Sequence, residues 1–526
     1  MKIRIPDKIR VTLSRKYLDW GIKFPRIGYR FIPEIKDIHE HQLRRSEEEY
    51  KKSRPPEGTE IEFLYFRLME LFHFEEFKLL RGGLNKLFPG IEGGHRETDF
   101  STFFRRYTES ISSGGIYYSL GVIYRKVRRG PLPKAFREIR KLPKEVKYIN
   151  VSMHKILSSS IVVAFDVHLT KEATETLIKL QQSRYLRRLR FSSLLPWKLS
   201  GYKFSQEPIG HVKSEKILSW LREMRKGVEK TIKPYLCGYF LKQRSVNVSK
   251  LPAIEIYTLK GLPDVEEPFK IWHQEARNWW RSLGFNFFAD VYGNGKFLFT
   301  WPGFDRLEGS FAYRCVVFWK SYVNLLDRNN YQNDTDGIKI NTRFTLDTFL
   351  PCIELIEFYE TAKRNIEKLR QNVFISMKRR SFSWFKLNNL INLNNSVMYE
   401  SMLQERISME FEERKEAIRH AMAPYDDIIK IKLNIGDSGG QYLRETLIKG
   451  VMWRITRLRK HFSVMKNSFS EYLSVRNMEA LFTLQRRILL LTVIIAIATI
   501  IGLAANIDSI KNVFNSLFQF VMRIFN

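Results

Sequence analysis

Apolar positions change their spacing along this chain, and each change predicts a different kind of element. In residues 1–350 the runs are short and mixed. The stretch 159–169, SSIVVAFDVHL, places Ile161, Val162, Val163 and Val167 in a β-branched run bounded by polar residues, which predicts a strand. Residues 253–259, AIEIYTL, read the same way. Residues 287–301 predict a β-hairpin, because Gly293-Asn294-Gly295 supplies the positive φ angles of a tight turn. Residues 311–323 fit either its next strand or a helix. Helical spacing predicts helices over 62–80 and 215–232. Polar composition makes 45–60 and 326–337 exposed linkers.

From about 351 the pattern turns helical. Residues 353–376 and 397–421 are charged, periodic and free of proline, and Pro424 is the last proline of the chain. Nothing from Gln441 to Ile507 forbids one continuous helix, since Gly450 and Gly502 cost only about 1 kcal/mol each. Within it Ile448, Val451, Ile455, Leu458, Phe462, Met465, Phe469 and Tyr472 follow alternating steps of three and four, an a/d coiled-coil seam. The seam predicts either packing on the protein's own helices within 353–421 or a self-associating stalk.

The seam ends at Arg476. Residues 488–507 then run for twenty positions without a charge, directly after Arg486 and Arg487. At about 1.5 Å per residue such a helix crosses the ~30 Å hydrocarbon layer. Ile488, Leu491, Ile494, Ile501 and Leu503 are its membrane-facing candidates. Beyond Asp508, Ile510, Val513, Phe514, Leu517, Phe518 and Val521 share one helical face. Lys511 and Arg523 leave too few uncharged residues between them for a second crossing, so an interfacial helix is expected.

These patterns add up to an α+β cytosolic region followed by a mainly helical region, a long stalk helix and one C-terminal transmembrane helix. The expected domains are a basic α+β region over 1–350, with two subdomains that break near 260–270, a helical region over 351–440, a stalk over 441–487, a span over 488–507 and an interfacial tail over 508–526.

Charge sharpens that picture. Lys and Arg number 88 against 56 acids, a formal +32, which points to a polyanionic neighbour. With a span already present, anionic lipid is the economical partner, at about 1 kcal/mol per cation near the surface. Nucleic acid is the less favoured one. The candidate contacts are Arg125, Lys126, Arg128 and Arg129; Arg184, Arg187, Arg188 and Arg190; and Arg486 with Arg487. The second cluster interleaves Tyr185, Leu186 and Leu189, as a membrane-surface or phosphate-tracking helix does. Lys466, Arg476, Arg486 and Arg487 precede the span, and only Lys511 and Arg523 follow it. The positive-inside rule therefore places the bulk of the chain in the cytoplasm. The first twenty residues lack a secretory apolar run. Cys237, Cys315 and Cys352 form no CxxC pair, which fits a reducing compartment.

Catalytic motifs are weak. Gly436-Asp437-Ser438-Gly439-Gly440 has GxSxG spacing, but an α/β-hydrolase needs an acid and then a histidine after Ser438, and only His461 follows. A turn opening the long helix, capped by Asp437 or Ser438, is expected. Asp334-Thr335-Asp336-Gly337 lacks the flanking acids of a calcium loop and reads as a polar turn. Pro6-Asp7 with Glu34-Ile35-Lys36 has the letters of a nuclease core. His39-Glu40-His41 is a lone pair, and His273-x-Glu275 lacks the PCxxC of a zinc deaminase. No P-loop sequence exists. No cofactor is indicated, and an enzyme is the less favoured class.

The layout over about 441–526 is similar to that of CorA-type magnesium channels, on topology alone. That family carries a Gly-Met-Asn motif after its first span and then crosses again. Here Ala505-Asn506-Ile507 stands in that place, and 508–526 is short for a second span, which speaks against conduction. The expected function is a membrane-anchored cytoplasmic sensor or interaction protein, a homo-oligomer if the stalk self-associates. The alternatives are a divergent CorA-like channel or membrane-perturbing effector, and a membrane-tethered enzyme acting on nucleic acid or lipid.

Overall fold

The computed structural model describes residues 44–48, 50–51, 58–88, 117–125, 137–185, 188–191, 204–242, 251–260, 290–294, 296–301, 313–319, 333–378, 384–430, 441–504, 512 and 514–520. Twelve named strands and seven named helices are placed in them. In chain order they are β1 (Glu60–His73), α1 (Phe77–Leu87), β2 (Tyr117–Tyr124), β3 (Arg137–Ile139), β4 (Val146–Leu157), β5 (Ser160–Leu169), α2 (Lys171–Gln182), β6 (Arg188–Phe191) and β7 (Phe204–Glu207). Then come α3 (Ile209–Ile232), α4 (Tyr239–Lys242), β8 (Ala253–Lys260), β9 (Asp290–Gly293), β10 (Phe297–Trp301), β11 (Tyr313–Phe318), α5 (Asp334–Lys378), α6 (Trp384–Ala421), β12 (Ile429–Lys430) and α7 (Leu443–Ala504).

Ten strands form one mixed sheet in the order β12-β9-β10-β11-β8-β1-β5-β4-β2-β3, and β6 with β7 forms a separate pair. β8 and β11 run parallel, as do β2 and β3, and the other neighbours are antiparallel. The expected strands at 159–169 and 253–259 are β5 and β8. The expected hairpin is β9–β10, where the Asn294 side-chain carbonyl accepts the amides of Lys296 and Phe297 at 2.9 Å each. Residues 311–323 supply a strand, β11.

The helix expected over 62–80 is a correction. Residues 60–73 are β1, followed by a 3₁₀ turn at Phe74–Glu76 and then α1. β1 lies between β5 and β8 and is buried on both faces from Phe63 onward. Apolar residues on both faces erase the period of two that marks a half-exposed strand. Pairing with two neighbours then decided what local spacing left ambiguous.

Asp334–Gly337 is likewise the first turn of α5 rather than a free turn. The Asn333 side chain accepts the Asp336 amide at 2.8 Å, and Asp334 and Asp336 meet the positive end of the helix dipole. In the expected linker over 45–60, residues 45–48 are helical.

α3 and α5 contact opposite faces of the sheet. Arg67 pairs across β1 with Asp166 and Ile254, while Phe66 pairs with Val167 and Glu255. Arg67 meets α5 through Asp347, and Glu255 meets α3 through Arg225. α4 closes against β1, and only glycine fits at position 238, where a Cβ would stand 2.4 Å from the Leu71 carbonyl oxygen.

The chain divides into two compact units. One comprises Met1–Ala362 and Gln404–Ile455, and the other comprises Lys363–Leu403 and Thr456–Asn526. α5, α6 and α7 each contribute residues to both. α7 is one unbroken helix of 62 residues, close to the expected 441–507. The stretch Leu481–Ile501 within it is long and apolar enough to cross a membrane, with mean hydropathy 2.0 and none of its defining window buried.

Candidate functional site

The sheet face beneath α5 carries charge where a helix–sheet contact is ordinarily apolar. β1 contributes Tyr65 and Arg67, β5 Asp166 and His168, and β4 Asn150, Ser152 and His154. Strand periodicity puts each set on one face, and register brings the sets together, with Arg67 opposite Asp166 and Asp166 opposite Asn150. From above, α5 presents Lys339, Arg343 and Asp347 at four-residue intervals, one helical face.

Arg67 is the hub and has no exposed surface. Its Nε donates to Asp166 Oδ1 at 2.7 Å and its Nη2 to Asp166 Oδ2 at 3.2 Å. Its Nη1 donates to Asp347 Oδ1. Arg343 Nε lies 3.2 Å from Asp166 Oδ2. His154 Nε2 stands 3.0 Å from Ser152 Oγ and 3.9 Å from Asp347 Oδ1. His168 stacks on Tyr148 with ring centroids 4.3 Å apart and shares a 3.3 Å contact with Asn150.

Two guanidiniums and two carboxylates cancel in formal charge. Burial works against an ionised Asp166, yet the Arg67 and Arg343 guanidiniums overcome it and hold the carboxyl down to about 2. Burial, helped by Asp166, raises Asp347 despite Arg67. Burial and the same two cations push His154 well below its ordinary range. Burial and Lys339 bring His168 to about 3. Both imidazoles are therefore neutral at physiological pH.

The opposite face holds a second buried network. Glu255 accepts from Arg225 of α3, from Arg314 Nε at 2.8 Å and from the Tyr257 hydroxyl at 3.2 Å. Burial opposes its ionisation, but Arg314 and Arg225 carry its carboxyl below the ordinary range. Further along β1, Glu70 accepts the amides of Phe240 and Leu241 at 2.8 and 3.0 Å at the start of α4.

The charge cluster under α5 is closed: the side chains of Arg67, Asp166, Arg343 and Asp347 are at most 16% exposed. Its charges meet one another rather than solvent, so it clamps a helix to a sheet. Among the described residues no group of three or more His, Cys, Asp or Glu is arranged to hold a metal.

The residues singled out from sequence lie elsewhere. Arg125 directly follows β2 and donates to the Lys144 carbonyl. Arg184 is exposed and sits over the Tyr50 ring at 5.1 Å. The helix expected around Arg184–Arg190 is a second correction. Arg188–Phe191 is strand β6, paired with β7, because Arg-Leu-Arg-Phe alternates with period two. Lys126, Arg128, Arg129 and Arg187 lie outside the described residues, as do Pro6, Asp7, Glu34, Lys36, His39, His41, His273, Glu275 and Gly436–Gly440. The ends of that last loop are held by the Lys430 amide on the Gln441 carbonyl at 2.8 Å.

On α7, Ile448, Val451, Ile455, Leu458, Phe462 and Met465 are all buried within the single chain. The side chains of Phe469 and Tyr472 fall outside the described set. Arg486, Arg487, Ile488 and Ile501 are exposed, Leu491 and Ile494 half-exposed, and Leu503 lies in the helix. Of the predicted tail, residues 512 and 514–520 are helical.

No family model matches the chain, and neither does any curated protein or solved structure.

Proposed function

We propose that this protein is a membrane-anchored sensor or interaction protein whose sheet-bearing unit faces the cytoplasm. The observation that carries this reading is the exposure of Leu481–Ile501. Leu489 and Ile500 are each 67% exposed, and Leu490, Val493, Ile495 and Ile497 about half. Each such side chain gains roughly 1.5–3 kcal/mol on leaving water, and a continuous exposed run of this length finds that environment in a bilayer. Arg486 and Arg487, near the N-terminal end of the run, orient the sheet-bearing part to the cytoplasm under the positive-inside rule and suit anionic headgroups.

The charged seam supports a conformational role over a catalytic one. Arg67 and Arg343 pair with Asp166 and Asp347, and Arg343 and Asp347 ride on a helix that continues to Lys378. Because the chain itself covers six positions of the α7 seam, a homo-oligomer would have to form through another surface.

Deleting 486–526 is the direct test. The truncated protein should move from the carbonate-resistant membrane fraction to the supernatant. Retention in the pellet would reject the anchor and leave peripheral basic contacts as the source of binding.

A further inference from the structure

α5 buries a second acid beyond the quartet. Glu354 lies two turns past Asp347 and has no exposed surface. Among the described residues, neither of its carboxyl oxygens has a hydrogen-bond partner. The charged groups acting on it are acids. Glu357, one turn on, accepts the Tyr313 hydroxyl at 2.7 Å, and Glu70 of β1 accepts two backbone amides. Phe358, also one turn on, packs against His73 with centroids 5.3 Å apart. Burial first, then Lys242 and Arg406, bring His73 to about 3, so it adds no charge at neutral pH.

An ionised carboxylate is poorly served at such a place. It has no donor, no paired cation among the described residues, and two carboxyls as neighbours. A protonated carboxyl avoids most of that cost. Burial, then Glu357 and Glu70, raise the Glu354 pKa well above the ordinary carboxylate range.

We propose that Glu354 is a proton-binding site and that docking of α5 on the sheet takes up one proton there. In the docked state the carboxyl is neutral. When the helix opens and water reaches the group, the proton passes to solvent, one per opening. The sign follows from linkage. A carboxyl whose docked pKa exceeds its exposed value stabilises docking fully below the exposed pKa, and that contribution is lost as pH rises through the docked pKa. Acid therefore tightens α5 and alkali loosens it. Since α5 runs unbroken from Asp334 to Lys378, the occupancy of this site acts on a helix that supplies residues to both units. The inference names an input for the sensor reading, yet it holds whether or not Leu481–Ile501 enters a bilayer.

Hydrogen exchange of peptides within 343–362, on the full chain in detergent micelles, tests it. After correction for intrinsic exchange, the wild-type opening constant should rise up to tenfold per pH unit between pH 6 and 8.5, the slope of one released proton. Glu354→Gln, neutral at every pH, should flatten that slope. Should the Gln variant fail to fold, Glu354→Met offers a second neutral occupant for the same comparison. A flat wild-type profile, or equal slopes in wild type and the neutral variant, overturns the proposal. So does a slope that survives Glu354→Gln and disappears in Glu70→Gln, which would move the proton to Glu70.

Discussion

The sheet-facing half of α5 and the Leu481–Ile501 stretch of α7 invert each other. The first buries Arg343, Asp347 and Glu354 against a sheet. The second leaves Leu, Ile and Val side chains uncovered. Each is costly where water and protein are the only environments, and each is resolved differently. The charges of α5 find most of their partners inside the chain, on β1 and β5. The apolar side chains of Leu481–Ile501 are left uncovered among the described residues, in a stretch long and apolar enough to cross a membrane. Read together, the two helices teach that an element's composition does not say whether it is buried. Complementarity with what lies opposite decides it.

The comparison breaks most sharply if a charge is removed from the first helix's partner. Arg67→Met leaves Asp166 and Asp347 buried with one cation fewer, which should cost about 3–5 kcal/mol. Urea denaturation followed by exchange of β1 and β5 amides would measure it, and a loss under 1 kcal/mol would show that the seam is not a clamp. Replacing the ions together by apolar residues should cost much less than Arg67→Met alone, because no unpaired charge remains. The reciprocal experiment adds a charge to the second helix. Ile494→Arg should disfavour membrane insertion by roughly 2.5–3.5 kcal/mol, read as the inserted fraction in a translocation assay. An unchanged fraction would place the segment outside the bilayer. Asn333→Ala removes the cap that starts α5 and should cost about 1 kcal/mol, seen as faster exchange in its first turn. Arg184→Ala, on an exposed cation, should shift stability by no more than about 0.5 kcal/mol, and a larger shift would reveal a partner at that surface.

Acid acts on the quartet separately. Asp166 has its carboxyl held down to about 2, so its contribution is complete above the ordinary aspartate pKa and fades as pH falls toward 2. Asp166→Asn should remove that acid sensitivity.

Parts of the fold were legible from residues alone. The Val-rich run of β5, the Asn294 turn of β9–β10 and the proline-free stretch of α7 each carry a local physical cause strong enough to act without context. β1 was not, because EFLYFRLMELFHF satisfies helical spacing as well as a strand buried on both faces. In the Arg184–Arg190 cluster charge density points to a surface helix, while the Arg-Leu-Arg-Phe alternation at its end carries the period of two that makes β6. The seam residues did leave a signal. Arg67 with Glu70 in LYFRLMEL, Asp166 in VVAFDVHL and, on the opposite face, Glu255 in AIEIYTL are isolated charges among mostly apolar residues. A buried charge must be paired, so each announces a partner. What it cannot announce is which residue answers, since Asp347 lies 280 positions from Arg67 in the chain.

The sequence by itself determined the apolar stretch of α7, the helical course of that element and the surplus of cations, because each depends on composition and spacing within one segment. Only the tertiary structure decided that β1 is a strand, that α5 rests on charges and that Glu354 stands without a donor. Those outcomes depend on which distant groups the sheet register and the helix approach bring within about 3 Å of one another, and no local window contains that information.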